Sequence, residues 1–182
     1  MVLVSQRELV DAIRKFPAGM EKDRLRCVGQ NVTKLGFFPN NLAIAIRSLL
    51  VSNNALTSVE GVEQFANLDT LSVSNNLIRY MEDLAGLRSL SHLKKLSLQG
   101  NPVAKLPFYR DFVITLCPTL EVLDGLRISD GLRAVCMVNM RQVQVHMQTA
   151  LRNALRNLLL ANLLQKTKLK KEIRQVLLQR QR

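Results

Sequence analysis

Ile46-x-x-Leu49-x-Val51-x-x-Asn54-x-Leu56 returns as Leu68-x-x-Leu71-x-Val73-x-x-Asn76-x-Ile78, and again as Leu93-x-x-Leu96-x-Leu98-x-x-Asn101-x-Val103. Successive copies start 22 residues apart (46 to 68) and 25 apart (68 to 93), with the Asn in phase each time. One such match arises by chance; three in register define a repeat. Leu49 and Val51 alternate with outward residues, which is the period of a short strand. Stacked neighbours pair these strands into one parallel sheet, and the inward positions fill a continuous core that no single copy could build. Asn54, Asn76 and Asn101 stand where the chain leaves the strand. A buried amide there donates to and accepts from loop backbone groups that would otherwise be unpaired, so these three are read as structural rather than binding residues.

The pattern L-x-x-L-x-L-x-x-N-x-L is that of a leucine-rich repeat. Working outward, Lys22 to Leu35 reads as a degenerate first copy, with Leu25, Cys27, Val32 and Leu35 at the apolar positions and Gln30 in the place of the Asn. Before it, Ser5 to Phe16 reads as a short helix: Ser5 and Glu8 form a capping box, Leu9, Val10 and Ile13 share a face, and Pro17 and Gly19 stop it. A repeat array exposes apolar core at both ends, so this helix is expected to be the N-terminal cap. Phe37-Phe38-Pro39-Asn40-Asn41 reads as a break. The three-residue spacings Val59, Val62, Phe65 and Met81, Leu84, Leu87 suit short helical turns on the convex side. Extra residues near Leu90-Ser91-His92 lengthen the second connection.

After the third copy come Asn101-Pro102-Val103, Tyr109-Arg110, Pro118-x-Leu120 and Leu123-Asp124-Gly125. Together they resemble the C-terminal cap of the 22-residue leucine-rich repeat family. Known members include centrosomal and ciliary proteins, the leucine-rich light chain of outer-arm dynein, regulators of protein phosphatase one, and the A-prime subunit of the spliceosomal particle that reads the branch site. The resemblance covers about residues 20 to 130. It implies an α/β fold: a short leucine-rich repeat solenoid with a parallel concave sheet and convex helical turns. An N-terminal cap helix (residues 1–20) precedes the repeats and cap (21–130), and a long basic helix (131–182) follows them.

Composition sets the limits. Apolar residues make up 47% of the 182, enough for a sizeable core, while Trp is absent and aromatics are only 4%, so aliphatic side chains do the packing. The formal charge of +12 is uneven: residues 130–182 hold 11 Lys and Arg against 2 Asp and Glu, a net +9. That segment therefore points to an acidic partner. Cys27, Cys117 and Cys136 are odd in number and lack metal-knuckle spacing, which argues against a disulfide framework and for a reducing compartment. Neither a signal peptide nor an apolar run of membrane-spanning length is evident.

Residues 132–182 lack Gly and Pro and are rich in helix formers. Met147, Leu151, Ala154, Leu158 and Ala161 step by four and three, the spacing of a coiled-coil seam, and Leu158-Leu159-Leu160 widens the stripe. The helix is expected to associate through Leu151, Leu155, Leu158 and Leu163, with an acidic helix favoured over a second copy. In the alternative, Met137, Met140 and Val143 fold back on the last repeat and the remainder is a tail. The pattern ends without a cap, which fits a longer natural protein.

Catalytic chemistry is not in evidence. His92 and His146 have no Cys, Asp or Glu at ligand spacing, and no phosphate loop or nucleophile elbow occurs. The expectation is a non-enzyme without cofactor or metal. Candidate partner-binding residues lie on the concave face: Arg24, Arg26, Arg47, Leu50, Ser72, Lys94, Lys95 and Gln99, a polar surface more basic than acidic with Leu50 exposed as an apolar anchor. Four functions compete. A cytoplasmic centrosomal, ciliary or cytoskeletal scaffold is favoured, because such family members often join repeats to a coiled-coil segment. A nuclear spliceosomal subunit bound to an RNA-binding-domain partner is the alternative. A phosphatase regulator usually needs a longer array. Lys and Arg beside a broad Leu face also suit a membrane surface, whereas direct RNA binding is disfavoured because the basic helix has no aromatic residue.

Overall fold

The computed structural model describes Glu8, Leu9, Asp11 and residues 20–180. Among these, seven strands form one sheet in sequence order: β1 (Met20–Glu21), β2 (Arg24–Arg26), β3 (Ser48–Leu50), β4 (Thr70–Ser72), β5 (Lys95–Ser97), β6 (Val122–Leu123) and β7 (Leu126–Arg127). From β2 to β6 the pairing is parallel, with Leu25, Leu49, Leu71, Leu96 and Leu123 in one register row. All five are buried, and together with Val51, Val73, Leu98 and the apolar residues of the connections they form one core. The parallel solenoid expected from the repeat is the architecture found. Most of the predicted N-terminal helix lies outside the described residues; of it, Leu9 is fully buried in the core and its N–H donates to the Lys34 carbonyl at 2.9 Å.

The connections are short helices. The 3-10 segments Val62–Gln64, Glu82–Ser89 and Pro102–Lys105 occupy the convex side, and the second takes up the lengthened connection. Val62, Leu84, Leu87 and Val103 bury one side of them. Phe37 to Asn41 is not only a break: helix α1 (Asn40–Ala45) starts within it and buries Ala43. Its signal was masked because Pro39, Asn40 and Asn41 are strong loop residues, while four good apolar positions follow.

The Asn ladder has the expected role. Asn54 Oδ1 accepts from the N–H groups of Gln30 and Val32, and its Nδ2 donates to the carbonyls of Cys27 and Val51. Asn76 accepts from Leu56 N–H and donates to Val51 and Val73. Asn101 accepts from Ile78 N–H and donates to Val73 and Leu98. Each amide thereby joins two neighbouring copies through backbone groups that the strands leave unpaired.

The sheet ends in hairpins at both edges, which the repeat pattern does not announce. β1 pairs antiparallel with β2, and β7 with β6. At the C-terminal end, Asp124 and Gly125 take left-handed backbone (φ 53° and 80°), and the chain turns back. Val51 and Val73 N–H groups donate to the Ser72 and Ser97 carbonyls of the next copy. Leu98 N–H instead donates to Asp124 Oδ1 at 2.7 Å, so a carboxylate replaces the missing carbonyl. Tyr109 then donates its hydroxyl to Asp124 Oδ2 at 2.8 Å. Burial first, and the adjacent Asp124 second, push the Tyr109 hydroxyl well above its ordinary range, so it stays a donor.

Helix α2 (Tyr109–Leu116) closes the core with Val113 and Ile114. Helix α3 (Asp130–Arg180) follows. The chain divides into two compact units between Met140 and Arg141, so the first turns of α3 belong with the repeats. Arg133 places its guanidinium at the end of α2, donating to the Ile114, Cys117 and Leu120 carbonyls at 3.2, 3.4 and 2.5 Å. It satisfies carbonyls that the end of α2 leaves without intrahelical partners. Cys136 is buried and Asn139 donates to Asp111 Oδ1 at 2.8 Å. These residues make the fold-back expected of Met137, Met140 and Val143; Met137 itself is exposed. Cys27, at its apolar repeat position, and Cys117 are both buried.

Candidate partner-binding face

A strand alternates sides, so the residues flanking each buried Leu face outward. Register aligns Arg24, Ser48, Thr70, Lys95 and Val122 in one outward row. A second row holds Arg26, Leu50, Ser72 and Ser97. Five of the expected residues therefore meet on one surface: Arg24, Arg26, Leu50, Ser72 and Lys95. The three cations are exposed, but Leu50 is half-buried rather than open. It is paired between Arg26 and Ser72, at strand spacing of about 4.8 Å, so its neighbours cover its flanks. The hydroxyls satisfy one another: Ser52 Oγ lies 2.8 Å from Ser72 Oγ, and Ser74 Oγ 2.6 Å from Ser97 Oγ. The result is a shallow floor of small side chains and one Leu, with Arg24 and Arg26 at one end and Lys95 towards the other.

Arg47 and Lys94 are placed elsewhere. They precede the strands, on a rim where one carbonyl per copy accepts two N–H groups from the next. The Asp23 carbonyl takes Arg47 and Ser48, Arg47 takes Asp69 and Thr70, Asp69 takes Lys94 and Lys95, and Lys94 takes Glu121 and Val122. Side chains along this rim run Asp23, Arg47, Asp69, Lys94, Glu121, alternating in sign. Lys94 Nζ lies 3.4 Å from Glu121 Oε1, with both side chains exposed. Lys94 is thus paired on a charge-alternating edge, and Arg47, on the same edge, borders the floor residues Arg24, Ser48 and Thr70. No single copy displays the alternation, which runs across the repeats and not along the chain.

The opposite rim is a turn. Asn53 and Asn75 have φ of 56° and 53°, and Gly100 at the same register has 77°. Asn tolerates this left-handed backbone better than most residues. Asn75 Nδ2 donates to Asn53 Oδ1 at 2.8 Å. Gln99 Nε2 is held at 3.0 Å by the Asp124 carbonyl, so it belongs to the closing turn and not to the strand floor.

The second set of expected contacts, Leu151, Leu155, Leu158 and Leu163, lies on α3, with exposures of 72%, 55%, 59% and 59%. A helix turns about 100° per residue, so Leu151, Leu155 and Leu158 share a stripe while Leu163 points roughly 140° round from Leu158. The set is therefore not one seam. His92 and His146 are both exposed, the latter 2.8 Å from the Gln142 carbonyl. Among the described residues no group of His, Cys, Asp or Glu could hold a metal, and no helix is long and apolar enough to cross a membrane.

A leucine-rich repeat family model matches residues 12–150. The U2 small nuclear ribonucleoprotein A′ of Saccharomyces cerevisiae is 40% identical over 98 residues, covering 53% of this chain and 41% of that protein. Its Neurospora crassa counterpart is 31% identical over 126 residues, 68% of this chain and 49% of that one. The chain thus spans less than half the length of either relative. Among solved structures, the Drosophila melanogaster SNF/U2A′ complex contains a similar chain, with a TM-score of 0.62 at 26% identity, covering 68% of this chain and 72% of that one. These similarities favour the spliceosomal alternative over the centrosomal or ciliary reading. With most of its length matched by the family model and the stacked repeats in place, the chain belongs to the leucine-rich repeat family.

Proposed function

We propose that this protein is a non-catalytic interaction scaffold of a nuclear, spliceosomal ribonucleoprotein, and that its concave floor holds an RNA-binding-domain protein. The observation that carries the reading is the register of that floor: Arg24, Arg26 and Lys95 flanking Ser48, Leu50, Thr70, Ser72 and Ser97. Small hydroxyl side chains let a partner element come close, Leu50 offers an apolar contact at its centre, and the flanking cations select an acidic element and speed its approach. The similarity to U2 A′ proteins, and to a structure in which one is complexed with SNF, supports a protein partner of this kind. The floor has no aromatic residue on which a base could stack, so contact with RNA runs through the partner.

Affinity capture of the tagged chain from its source cells tests this. The expected result is co-purification of an RNA-binding-domain protein that survives ribonuclease treatment, together with other splicing factors. Recovery of tubulin or centriolar proteins in their place overturns the reading in favour of a cytoskeletal scaffold.

A further inference from the structure

Between Leu158 and Leu164 the exposed part of α3 changes character. With about 100° per residue, Leu159, Leu163, Leu160 and Leu164 project roughly 100°, 140°, 200° and 240° round from Leu158, and Ala161 roughly 300°. Only Asn162 interrupts this ring. The turns on either side are one-sided. Leu151 and Leu155 lie within about 60° of the Leu158 direction, and so does Leu169, while Arg152 and Arg156 lie roughly 120° and 160° away. The ring leucines are 49–70% exposed. A helix that is apolar all round is one that is enclosed.

We infer that residues 151–171 are the docking element for an acidic, helical protein partner, which covers one side of the helix over its length and closes around it between Leu158 and Leu164 in the manner of a two-helix clasp. Charge selects the occupant. Residues 141–171 contain seven Lys and Arg and no Asp or Glu. Two copies of this helix would bring cations together with no acid to pair them, which disfavours a homodimer. A flat anionic membrane could take one apolar face but would leave the other side of the ring in water. Acidic helices that surround the ring answer both requirements: they bury Leu159, Leu160 and Leu163 as well as the stripe, and pair with Arg152, Arg156 and the Lys166 to Lys171 cluster.

The test uses the full chain with designed probes: a Leu/Glu amphipathic single helix, a two-helix hairpin of the same repeat, and vesicles containing phosphatidylserine. Anisotropy titration is expected to show the hairpin binding at least about tenfold more tightly than the single helix, with affinity falling at least about tenfold between about 50 and 500 mM salt. Leu159→Gln with Leu163→Gln, on the side away from the stripe, should weaken hairpin binding by about tenfold or more, as should Arg152→Glu with Arg156→Glu. The melting of the repeats and capture of the concave-face partner should not change, so this surface can fail independently of the other. Hairpin binding indifferent to Leu159 and Leu163, stronger retention by vesicles than by the hairpin, or stable self-association of the chain at micromolar concentration each overturns the inference.

Discussion

Tyr109 donates its hydroxyl to Asp124 at 2.8 Å across the C-terminal end of the solenoid, while the other oxygen of Asp124 accepts the Leu98 N–H at 2.7 Å. One carboxylate therefore closes the sheet and ties it to α2. Tyr109→Phe removes one bond to a charged acceptor and should cost about 1.5–3 kcal/mol. Asp124→Ala also strands the Leu98 N–H and should cost more. Urea denaturation of the two variants checks the order; equal and negligible losses would dismiss the carboxylate as a closing element.

Asn76 makes its bonds while buried, so its removal strands backbone groups on two copies at once. Asn76→Ala should destabilise by about 1–3 kcal/mol without altering partner selectivity. Gly100 tests the adjacent turn. Its φ is 77°, and an added Cβ would run into Asn75 Oδ1. Gly100→Ala should lower the melting temperature, with a cost of about 1–2 kcal/mol from left-handed backbone alone. Calorimetry on both variants measures the losses.

The division between floor and rim predicts unequal effects of charge reversal. Arg24→Glu with Arg26→Glu removes cations from the floor and should weaken capture of the proposed partner by about tenfold or more. Lys94→Glu breaks an exposed pair with Glu121, worth at most about 1 kcal/mol, and should affect capture less. Titration with the purified partner at matched ionic strength reads the difference. A larger effect at Lys94 would place the contact on the rim.

Burial pushes the Cys117 thiol up to about 11, with Arg133 nearby pulling the other way. An unfolded thiol ionises near about 8.5, so at higher pH the unfolded chain releases a proton that the folded one retains. Stability from this group is intact below about pH 8.5 and declines as pH rises towards 11. Urea midpoints should be level from pH 7 to 8 and fall above pH 9, and Cys117→Ala should flatten that fall. Tyr109, also raised, adds to the decline from about pH 10 onward.

What could be read from the sequence were the features written along the chain. Leu49, Leu71 and Leu96, the Asn ladder and the convex turns all follow from a period that a single copy displays. Features written across copies were not legible. Asp23, Arg47, Asp69, Lys94 and Glu121 are far apart in sequence and become an alternating edge only when stacking brings them together. The role of Asp124 depends on a carbonyl that is missing because the sheet has ended, and no local pattern records a missing neighbour. Leu163 stands beside Leu151, Leu155 and Leu158 in the expected contact set, but a five-residue step from Leu158 carries it off their stripe.

The terminal hairpins have a consequence for how copies of the molecule meet. A row of open N–H and C=O groups at the end of a parallel sheet would template another sheet. Here β1 and β7 run against their neighbours and are two residues long, so neither end offers a landing strip of useful length. Among the described residues, then, the sheet gives little purchase for growth by adding strands. Larger assembly is left to side chains, which can be chosen for one partner, rather than to backbone, which accepts all.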